Sequence, residues 1–455
     1  MRHFIWMFIL FCHAVAASAG GKVHEYRLSN GMKVIVKEDH RAPIVVSQVW
    51  YKVGSSYEHR GITGVSHVLE HMMFKGTKKH PPGEFSRIIA ANGGRENAFT
   101  GRDYTAYFQT LSKDRLEVSF EMEADRMRNL ILPADEFAKE VEVVKEERRL
   151  RTEDKPTSLT YEQFNAIAYR SSPYRNPVIG WMNDLDNMQV EDLQIWYQRW
   201  YAPNNATLVV VGDVEPEAVF ALAKKHFGPF KAERIIKPKP SKEPEQLGMI
   251  RLKVRAPARQ PYLLMGYKTP AISTAEEEWE PYALEVLAAV LDGGGSARFA
   301  RNLVRGQEIA VSAGVSYSGF SRLSGMLMVS GSPADGHSME ELEAALLAEL
   351  ELVKKEPVSQ QELARIQAQV IAAKVYEQDT VFYQAMEIGT LETIGLDWRL
   401  GEEYVDRLKA VTAEQVQAVA KKYLVENHLT VALLDPLPMD TEKSVSRSTG
   451  GHHGR

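Results

Sequence analysis

Apolar and polar positions follow regular patterns in two parts of the chain, and a charged, proline-containing stretch separates them. The pattern of apolar and polar residues between turn residues predicts strands in the first part at 23–28, 33–38, 44–53, 95–100, 104–111 and 207–212. In the second part it predicts strands at 249–254, 262–267, 311–317, 325–331 and 430–435. Spacing typical of amphipathic helices fills much of the sequence between them. The stretch from Lys231 to Gly248 contains three prolines among charged residues, which is typical of a linker.

The end of the chain repeats a pattern from its middle. Tyr423 followed by Thr430–Asp435 resembles Tyr201 followed by Thr207–Asp213, and the two segments lie 223 residues apart. A repeat at half the chain length predicts an internal duplication. We therefore expect domains at 20–232 and 249–440, joined by a linker at 233–248.

The two ends of the chain are predicted to lie outside the fold. Arg2 precedes an apolar run from Phe4 to Ala17, and small residues follow at 17–19, which predicts a secretory signal peptide over residues 1–19. The run is too short to span a membrane, and no other stretch has the required length of apolar residues. The single cysteine, Cys12, lies within this segment, so the mature chain has no disulfide, which fits a bacterial periplasm. The polar residues 441–455 are predicted to be a disordered tail.

Composition and charge narrow the function classes. Hydrophobic residues make up 44% and charged residues 25% of the chain, as in ordinary globular proteins. The net charge is −5 and the sequence contains no long basic run, so nothing indicates a nucleic-acid partner.

The segment His67-Val68-Leu69-Glu70-His71 carries the strongest chemical signal. Read as a helix, it places His67 and His71 one turn apart on one face, with Glu70 between them. Two imidazoles at this spacing can hold one zinc ion, and the carboxylate can accept a proton from water that the metal makes more acidic. The order H-x-x-E-H is the inverted zincin signature.

The competing interpretation of this segment is a surface helix with two solvated histidines. The flanking residues favour the metal site. Thr63 as N-cap and Gly76 as C-terminal stop predict a helix of about three turns. A buried helix of this kind needs partners for its polar side chains. Its remaining sides are covered by the apolar residues Val68, Leu69, Met72 and Met73.

A second helix, predicted from about Ala134 to Arg151, places two carboxylates on an apolar side. Glu140 and Glu147 are seven residues apart and fall on that side, whereas Glu146 falls outside it. Carboxylates on a buried face need a positive partner, which is either zinc or a buried arginine. The apolar side is formed by Phe137, Val141, Val143 and Val144.

With these residues in place, the chain resembles the pitrilysin/insulysin family of inverted zincin metallopeptidases. It is most similar to the short type related to the β subunit of mitochondrial processing peptidase and its bacterial homologues. The resemblance covers nearly all of the mature chain and is strongest over residues 64–151, where His67–Thr77 matches the zinc helix of the family. It implies an α+β fold with two homologous domains, each a mostly antiparallel β-sheet with helices packed on one face.

The resemblance also assigns roles to individual residues. His67, His71 and Glu147 correspond to the ligands of one zinc ion, and Glu70 corresponds to the general base. Glu140 corresponds to the supporting glutamate of the paired-glutamate helix. The edge strand that aligns substrate in these enzymes corresponds to Asn97, Ala98, Phe99 and Thr100.

These assignments predict a zinc endopeptidase that hydrolyses extended peptides or unfolded polypeptide segments. Addition of substrate to an edge strand provides affinity with little demand on side-chain sequence. The alternative is a non-catalytic structural or assembly subunit of the same fold. Such relatives usually have a degraded metal motif, and the intact motif here favours the enzyme. A hydrolase of non-peptide bonds has no support beyond the zinc site.

The chain departs from the family in its second half. Family members that complete the site from this half carry an arginine and a tyrosine seven residues apart, and alignment places Val304 and Val311 there. Arg305 lies one residue out of register, and Tyr317 follows Val311 by six residues. We therefore expect a heterodimer with a paralogous non-catalytic subunit that supplies the missing pair. The alternative is a homodimer in which Arg298 or Tyr317 binds substrate.

Overall fold

The computed structural model describes residues 21–239 and 242–439. The predicted signal peptide, residues 1–19, and the predicted tail, residues 441–455, lie outside the described residues. The described chain combines helices with two β-sheets, one from each half of the chain, and most neighbouring strands are antiparallel. No helix within these two described ranges is both long and apolar enough to cross a bilayer.

The first sheet contains six strands. They are β1 (Val23–Arg27), β2 (Lys33–Glu38), β3 (Ile44–Tyr51), β4 (Arg95–Thr100), β5 (Thr105–Ser112) and β6 (Ala206–Gly212). Their order is β1-β2-β6-β3-β5-β4, with β2 and β6 parallel and the other pairs antiparallel. Strand β4 is an edge strand, so its outer backbone groups face away from β5.

Eight α-helices accompany this sheet in the described part of the first half. They are α1 (Val65–Met72), α2 (Glu84–Ala91), α3 (Leu116–Asn129), α4 (Ala134–Arg148), α5 (Pro156–Ala168), α6 (Met182–Asn187), α7 (Val190–Trp200) and α8 (Pro216–His226). Residues Arg149–Glu153 extend α4 as a π-helical turn.

The second half forms a five-stranded sheet and six α-helices in the described residues. The strands are β7 (Ile250–Pro257), β8 (Tyr262–Thr269), β9 (Ala310–Ser316), β10 (Gly325–Pro333) and β11 (Leu429–Leu437). The helices are α9 (Glu280–Asp292), α10 (Met339–Lys355), α11 (Gln360–Glu377), α12 (Val381–Ile394), α13 (Leu400–Lys409) and α14 (Ala413–Tyr423).

The two sheets share one topology. The second sheet has the order β7-β11-β8-β10-β9, which matches the order β2-β6-β3-β5-β4 strand for strand along the chain. The parallel pair also recurs, since β11 runs parallel to β7 as β6 does to β2. The repeated segments at Thr207 and Thr430 lie in the equivalent strands β6 and β11. These correspondences fit the internal duplication; the exact domain boundaries stay a prediction.

Each sheet packs its own helices on one face and receives one helix from the other half on the opposite face. Alternate residues of the first sheet, among them Trp50 and Val209, contact Ala385 and Ile388 of α12. The second sheet contacts α5 through Phe164. Burial of apolar surface on both faces therefore holds the halves together as well as forming each core.

The linker is fixed to the folded chain at Glu243. Its carboxylate accepts hydrogen bonds from the backbone N–H groups of Arg170, Ser171 and Ser172, at 2.7–2.9 Å, and forms an ion pair with Lys268 at 2.8 Å. Although burial opposes ionisation, the lysine and these N–H groups lower the pKa of Glu243 to about 2. One side chain thus joins the linker to the end of α5 and to strand β8.

Candidate metal and active site

Three side chains from two helices converge to form the candidate metal site. Helix α1 carries His67 and His71, and α4 carries Glu147. Glu147 Oε2 lies 3.9 Å from His67 Nε2 and 3.5 Å from His71 Nε2. One ligand atom from each residue lies within 4.8 Å of the others, and this is the one such group of three found in the part of the chain that the structure describes.

The donor set fits a zinc ion. Ligand atoms about 2.0–2.2 Å from one ion must lie within roughly 4 Å of one another, which is close to the separations seen here. Two imidazoles and one carboxylate are the ligands that zinc accepts at catalytic sites, which keep a further coordination position open. The buried Nδ1 atom of His67 has no hydrogen-bond partner among the described residues, and burial lowers the pKa of this imidazole to about 3.

Contacts from outside the helix position α1. Glu58 accepts hydrogen bonds from the backbone N–H groups of Gly64 and Ser66, at 2.7 and 2.9 Å, and so satisfies the first turn. The prediction that Thr63 is the N-cap is wrong, because Gly64 occupies that position with φ 89°. A Cβ on Gly64 would lie 2.6 Å from the Ile179 carbonyl oxygen, so the close approach requires glycine. The helix ends at Met72, about two turns long rather than three.

The inward and outward sides of helix α4 are largely as predicted. Glu140 and Glu147 lie on the inward side, whereas the Glu146 side chain is 56% exposed and pairs with Arg149 at 3.0 Å. The assignment of Val143 to the apolar side is wrong, since this residue is 49% exposed.

The two partners predicted for the inward carboxylates, zinc or an arginine, each account for part of the geometry. Glu147 Oε1 pairs with Arg151 at 2.7 Å, but the Arg151 side chain is 72% exposed rather than buried. The other oxygen of Glu147 faces the two imidazoles. Glu140 pairs with Lys75 and lies 3.1 Å from His71 Nδ1. Each glutamate therefore uses one oxygen for a cation and directs the other to the histidines.

Glu70 lies beside the candidate metal site and is connected to strand β4 by a hydrogen bond. The Thr100 hydroxyl donates a short hydrogen bond to Glu70 Oε2. Burial raises the pKa of the Glu70 carboxyl, and the hydrogen bond from Thr100 opposes that rise. Sequence reasoning placed Thr100 on the candidate edge strand but gave it no role at Glu70, because the contact joins two elements thirty residues apart.

A cavity of about 800 Å³ brings the predicted residues together. Its wall includes the three side chains of the candidate metal site and Glu70 on one side and edge strand β4 on the other. The edge-strand residues that line it are Asn97, Ala98, Phe99 and Thr100. The geometry therefore places an unpaired strand edge next to the cluster.

The second-half candidates lie away from this cavity. Arg298 forms an ion pair with Glu362 at 2.8 Å, and Tyr317 donates a hydrogen bond to the Pro270 carbonyl at 2.8 Å. Val304 packs against the second core, and Val311 is 53% exposed on β9. None of these four residues is among those lining the 800 Å³ cavity.

A buried polar contact links the two halves next to β4. Arg322 donates to Asp103 at 3.2 Å and to the Ser56 hydroxyl at 2.7 Å. Tyr174 also donates to Asp103 and accepts from the Leu323 backbone N–H. Sequence reasoning missed this network, and no local pattern marks its members.

Both halves of the chain match known protein families. Residues 33–181 match the family model described as insulinase (peptidase family M16), and residues 187–370 match the model described as the peptidase M16 inactive domain. The protein named zinc protease PqqE of Helicobacter pylori is 35% identical over 343 residues, which cover 74% of this chain and 76% of that protein.

Two further matches extend over more of the chain. The uncharacterized zinc protease YmxG of Bacillus subtilis is 25% identical over 91% of this chain and 98% of its own length. The crystal structure of a protease from Helicobacter pylori superposes with a TM-score of 0.85 at 30% identity, covering 91% of this chain and all of that one.

Proposed function

The chain belongs to the insulinase (M16) peptidase family, the pitrilysin/insulysin group that its sequence resembles, and on that premise we propose that it is a zinc endopeptidase acting on extended peptides or unfolded polypeptide segments. The observation that carries the proposal is the convergence of His67, His71, Glu147 and Glu70 beside an edge strand in one cavity. The proteins it matches are named zinc proteases.

His67, His71 and Glu147 would hold one zinc ion. When bound, zinc supplies Lewis acidity, which polarises a peptide carbonyl and makes water more acidic. Glu140 would orient His71 through the Nδ1 atom, since a carboxylate on the second ring nitrogen fixes the tautomer and orientation of a ligand histidine.

Glu70 would act as the general base and then as the acid. Its carboxylate takes a proton from the attacking water and delivers that proton to the departing amine nitrogen. The Thr100 hydroxyl holds one carboxylate oxygen of Glu70 and leaves the other for the water. Because Thr100 ends strand β4, the base is in register with the strand that would bind substrate.

Strand β4 would bind the substrate backbone. An extended peptide can add to the free edge beside Asn97, Ala98 and Phe99 through main-chain hydrogen bonds, which require little from its side chains. A folded protein offers no free extended segment, so unfolded chains are the favoured substrates.

The test is hydrolysis by the purified mature chain, loaded with one equivalent of zinc and assayed alone and together with any co-purifying partner subunit. A reduced, unfolded protein and the same protein in its folded state serve as substrates, and mass spectrometry locates the cut bonds. We expect internal cleavage of the unfolded form, loss of activity with a chelator and recovery with zinc. Zinc binding without hydrolysis of any peptide, both alone and with the partner subunit, would favour the non-catalytic subunit.

We further propose that the chain pairs with a paralogous, non-catalytic subunit in the bacterial periplasm. The periplasmic location rests on the signal peptide predicted at residues 1–19. The pairing rests on Val304 and Val311, which stand where related enzymes carry the arginine and tyrosine. The engagement of Arg298 and Tyr317 in other contacts argues against the homodimer in which they bind substrate.

A further inference from the structure

Arg102 lies where two cavities meet. It follows strand β4 by two residues and lines the cavity that contains the candidate metal site. A second cavity of about 340 Å³ lies between the halves, and its wall includes Tyr317 and Met328 from the second half. Both cavities share Arg102, Tyr161 and Asn165 as wall residues. A peptide that ran along β4 past Thr100 would therefore meet the Arg102 side chain.

The Arg102 guanidinium contacts phenols instead of carboxylates. The Tyr161 hydroxyl lies 3.4 Å from its Nη2 atom, and its Cζ atom lies 5.0 Å from the centroid of the Tyr174 ring. A contact of 3.4 Å is at the weak end of hydrogen bonding. The ion pairs found within residues 21–239 and 242–439 do not include Arg102, so its charge has no carboxylate partner there.

The carboxylates closest along the chain and in the cavity wall are already engaged. Asp103 binds Arg322 at 3.2 Å, and Glu162 binds Arg148 at 2.7 Å. Glu147 pairs with Arg151 through one oxygen and faces the imidazoles with the other. A partly desolvated guanidinium without a counter-charge favours an anion supplied from outside the chain.

We propose that Arg102 is a specificity residue that binds a carboxylate of the substrate peptide close to the scissile bond. The inference rests on the proposed function, because it assigns a substrate class to the same cavity. The guanidinium presents a planar set of donors that matches a carboxylate with two parallel hydrogen bonds. The carboxylate belongs to an Asp or Glu side chain or to the C-terminus of the peptide, since both present the same group.

The position of Arg102 limits where that carboxylate lies. Thr100 contacts Glu70, and Arg102 is two residues further along the chain. An extended chain advances about 3.3 Å per residue, so the carboxylate is expected within about three residues of the cleaved bond. The cavity wall also contains Arg175, which serves for comparison and whose guanidinium donates a hydrogen bond to the Arg170 backbone carbonyl at 3.3 Å.

The experiment uses the zinc-loaded full chain, alone and with any co-purifying partner subunit, and pairs of quenched fluorescent peptides. Each pair differs only by Glu or Gln, at one of the three positions on either side of the cleaved bond. A further pair differs by a free or amidated C-terminus. The ratio of kcat/KM within each pair is measured for wild type, Arg102→Gln, Arg102→Lys and the matched control Arg175→Gln. Tm and zinc content are measured for every variant.

We expect wild type to prefer the carboxylate member of one pair by roughly 10- to 100-fold, the usual range for a charge-assisted hydrogen-bonded pair. Arg102→Gln should bring that ratio close to one, mainly by lowering kcat/KM for the carboxylate member of the pair. Arg102→Lys should retain part of the ratio, because it keeps the charge and loses the planar fork. Arg175→Gln should retain the full ratio. The identity of the responding pair tells a side-chain carboxylate from the C-terminus.

Four outcomes overturn the assignment. A wild-type ratio near one in every pair shows that no carboxylate is recognised, and this result does not depend on how well the variants fold. An unchanged ratio in Arg102→Gln excludes Arg102 as its source. An equal loss of the ratio in Arg175→Gln shows that the overall positive charge of the cavity, and not a subsite at Arg102, recognises the carboxylate. If wild type, alone and with its co-purifying partner subunit, hydrolyses neither member of any pair, the proposed peptidase function fails, and the specificity assignment fails with it.

Discussion

The two ring nitrogens of His71 face two carboxylates of helix α4: Nδ1 lies 3.1 Å from Glu140, and Nε2 lies 3.5 Å from Glu147. Glu140 and Glu147 are two helical turns apart, so one helix reaches both sides of the same imidazole. This arrangement separates a proposed ligand from a proposed support for a ligand and makes their roles testable one at a time.

Replacement of the supporting carboxylate should weaken zinc binding without abolishing it. Glu140→Gln removes the negative charge from His71 Nδ1 and makes the imidazole a poorer ligand. Loss of such a support typically lowers metal affinity about 10- to 100-fold. Competition with a fluorescent zinc chelator measures the change. Glu142→Gln, on the exposed side of α4, is the control and should bind zinc as wild type does.

Replacement of the proposed ligand should have a larger effect than replacement of its neighbour. Glu147→Gln removes the carboxylate that faces both imidazoles, so the purified protein should lose most of its zinc. Glu146→Gln alters an exposed side chain paired with Arg149 and should keep one zinc per chain. Metal analysis of both variants after dialysis decides the matter, and equal loss from the two would contradict the assignment of Glu147.

The proposed general base should be separable from the metal site. Glu70→Gln keeps the shape of the side chain and its contact with Thr100 but cannot accept a proton, so hydrolysis should fall about 10²- to 10⁴-fold. Zinc content should stay at the wild-type level because Glu70 is not among the three clustered donors. Wild-type turnover by this variant would exclude Glu70 as the base.

The sequence predicts those features that depend on residues close together in the chain. Helical periodicity separates Glu147 from Glu146, and the H-x-x-E-H spacing predicts the shared face of His67 and His71. The same periodicity placed Val143 on the apolar side of α4, but this residue is 49% exposed. The border of a helical face depends on which elements pack against it, and that information is not in the helix itself. No individual element is predicted for residues 360–423, where the structure has four helices.

Tertiary contacts account for what remained unpredicted. The hydrogen bond from Thr100 to Glu70 and the Arg322–Asp103 ion pair join residues 30 and 219 positions apart, and no pattern within one element encodes them. The N-cap error has a similar origin. Thr63 has a suitable side chain, but its hydroxyl donates to Asp184, and Glu58 supplies the acceptor for the first turn of α1.

The anchored linker should make stability depend on pH. The pKa of Glu243 is lowered from 4.5 to about 2 in the folded chain, so its ionised form stabilises the fold above pH 4.5 and the contribution declines as the pH falls towards 2. After allowance for solvent screening, we expect Glu243→Gln to lower the free energy of unfolding by about 1–2 kcal/mol at pH 7.

Urea unfolding at several pH values measures this contribution. The difference between wild type and Glu243→Gln should shrink between pH 5 and pH 3, because protonation removes the charge from the wild-type carboxylate. Glu245→Gln, two residues away and exposed, is the matched control and should unfold as wild type does at every pH. A difference that stayed constant with pH would mean that the ionised carboxylate does not anchor the linker.

The last prediction concerns the partner subunit. In the second half, the positions that carry arginine and tyrosine in related enzymes hold Val304, partly buried against the second core, and Val311, 53% exposed on edge strand β9. Neither side chain can donate a hydrogen bond to a substrate carbonyl, so a second chain should supply those donors. We expect a secreted paralogue with the arginine and tyrosine present and the H-x-x-E-H motif degraded. Co-purification of the chain from its native host, mass spectrometry of what accompanies it and activity assays on each separated chain test this expectation. Activity should be low for either chain alone and should return when the two are mixed, whereas full activity from this chain alone, with no paralogue bound, would refute the heterodimer.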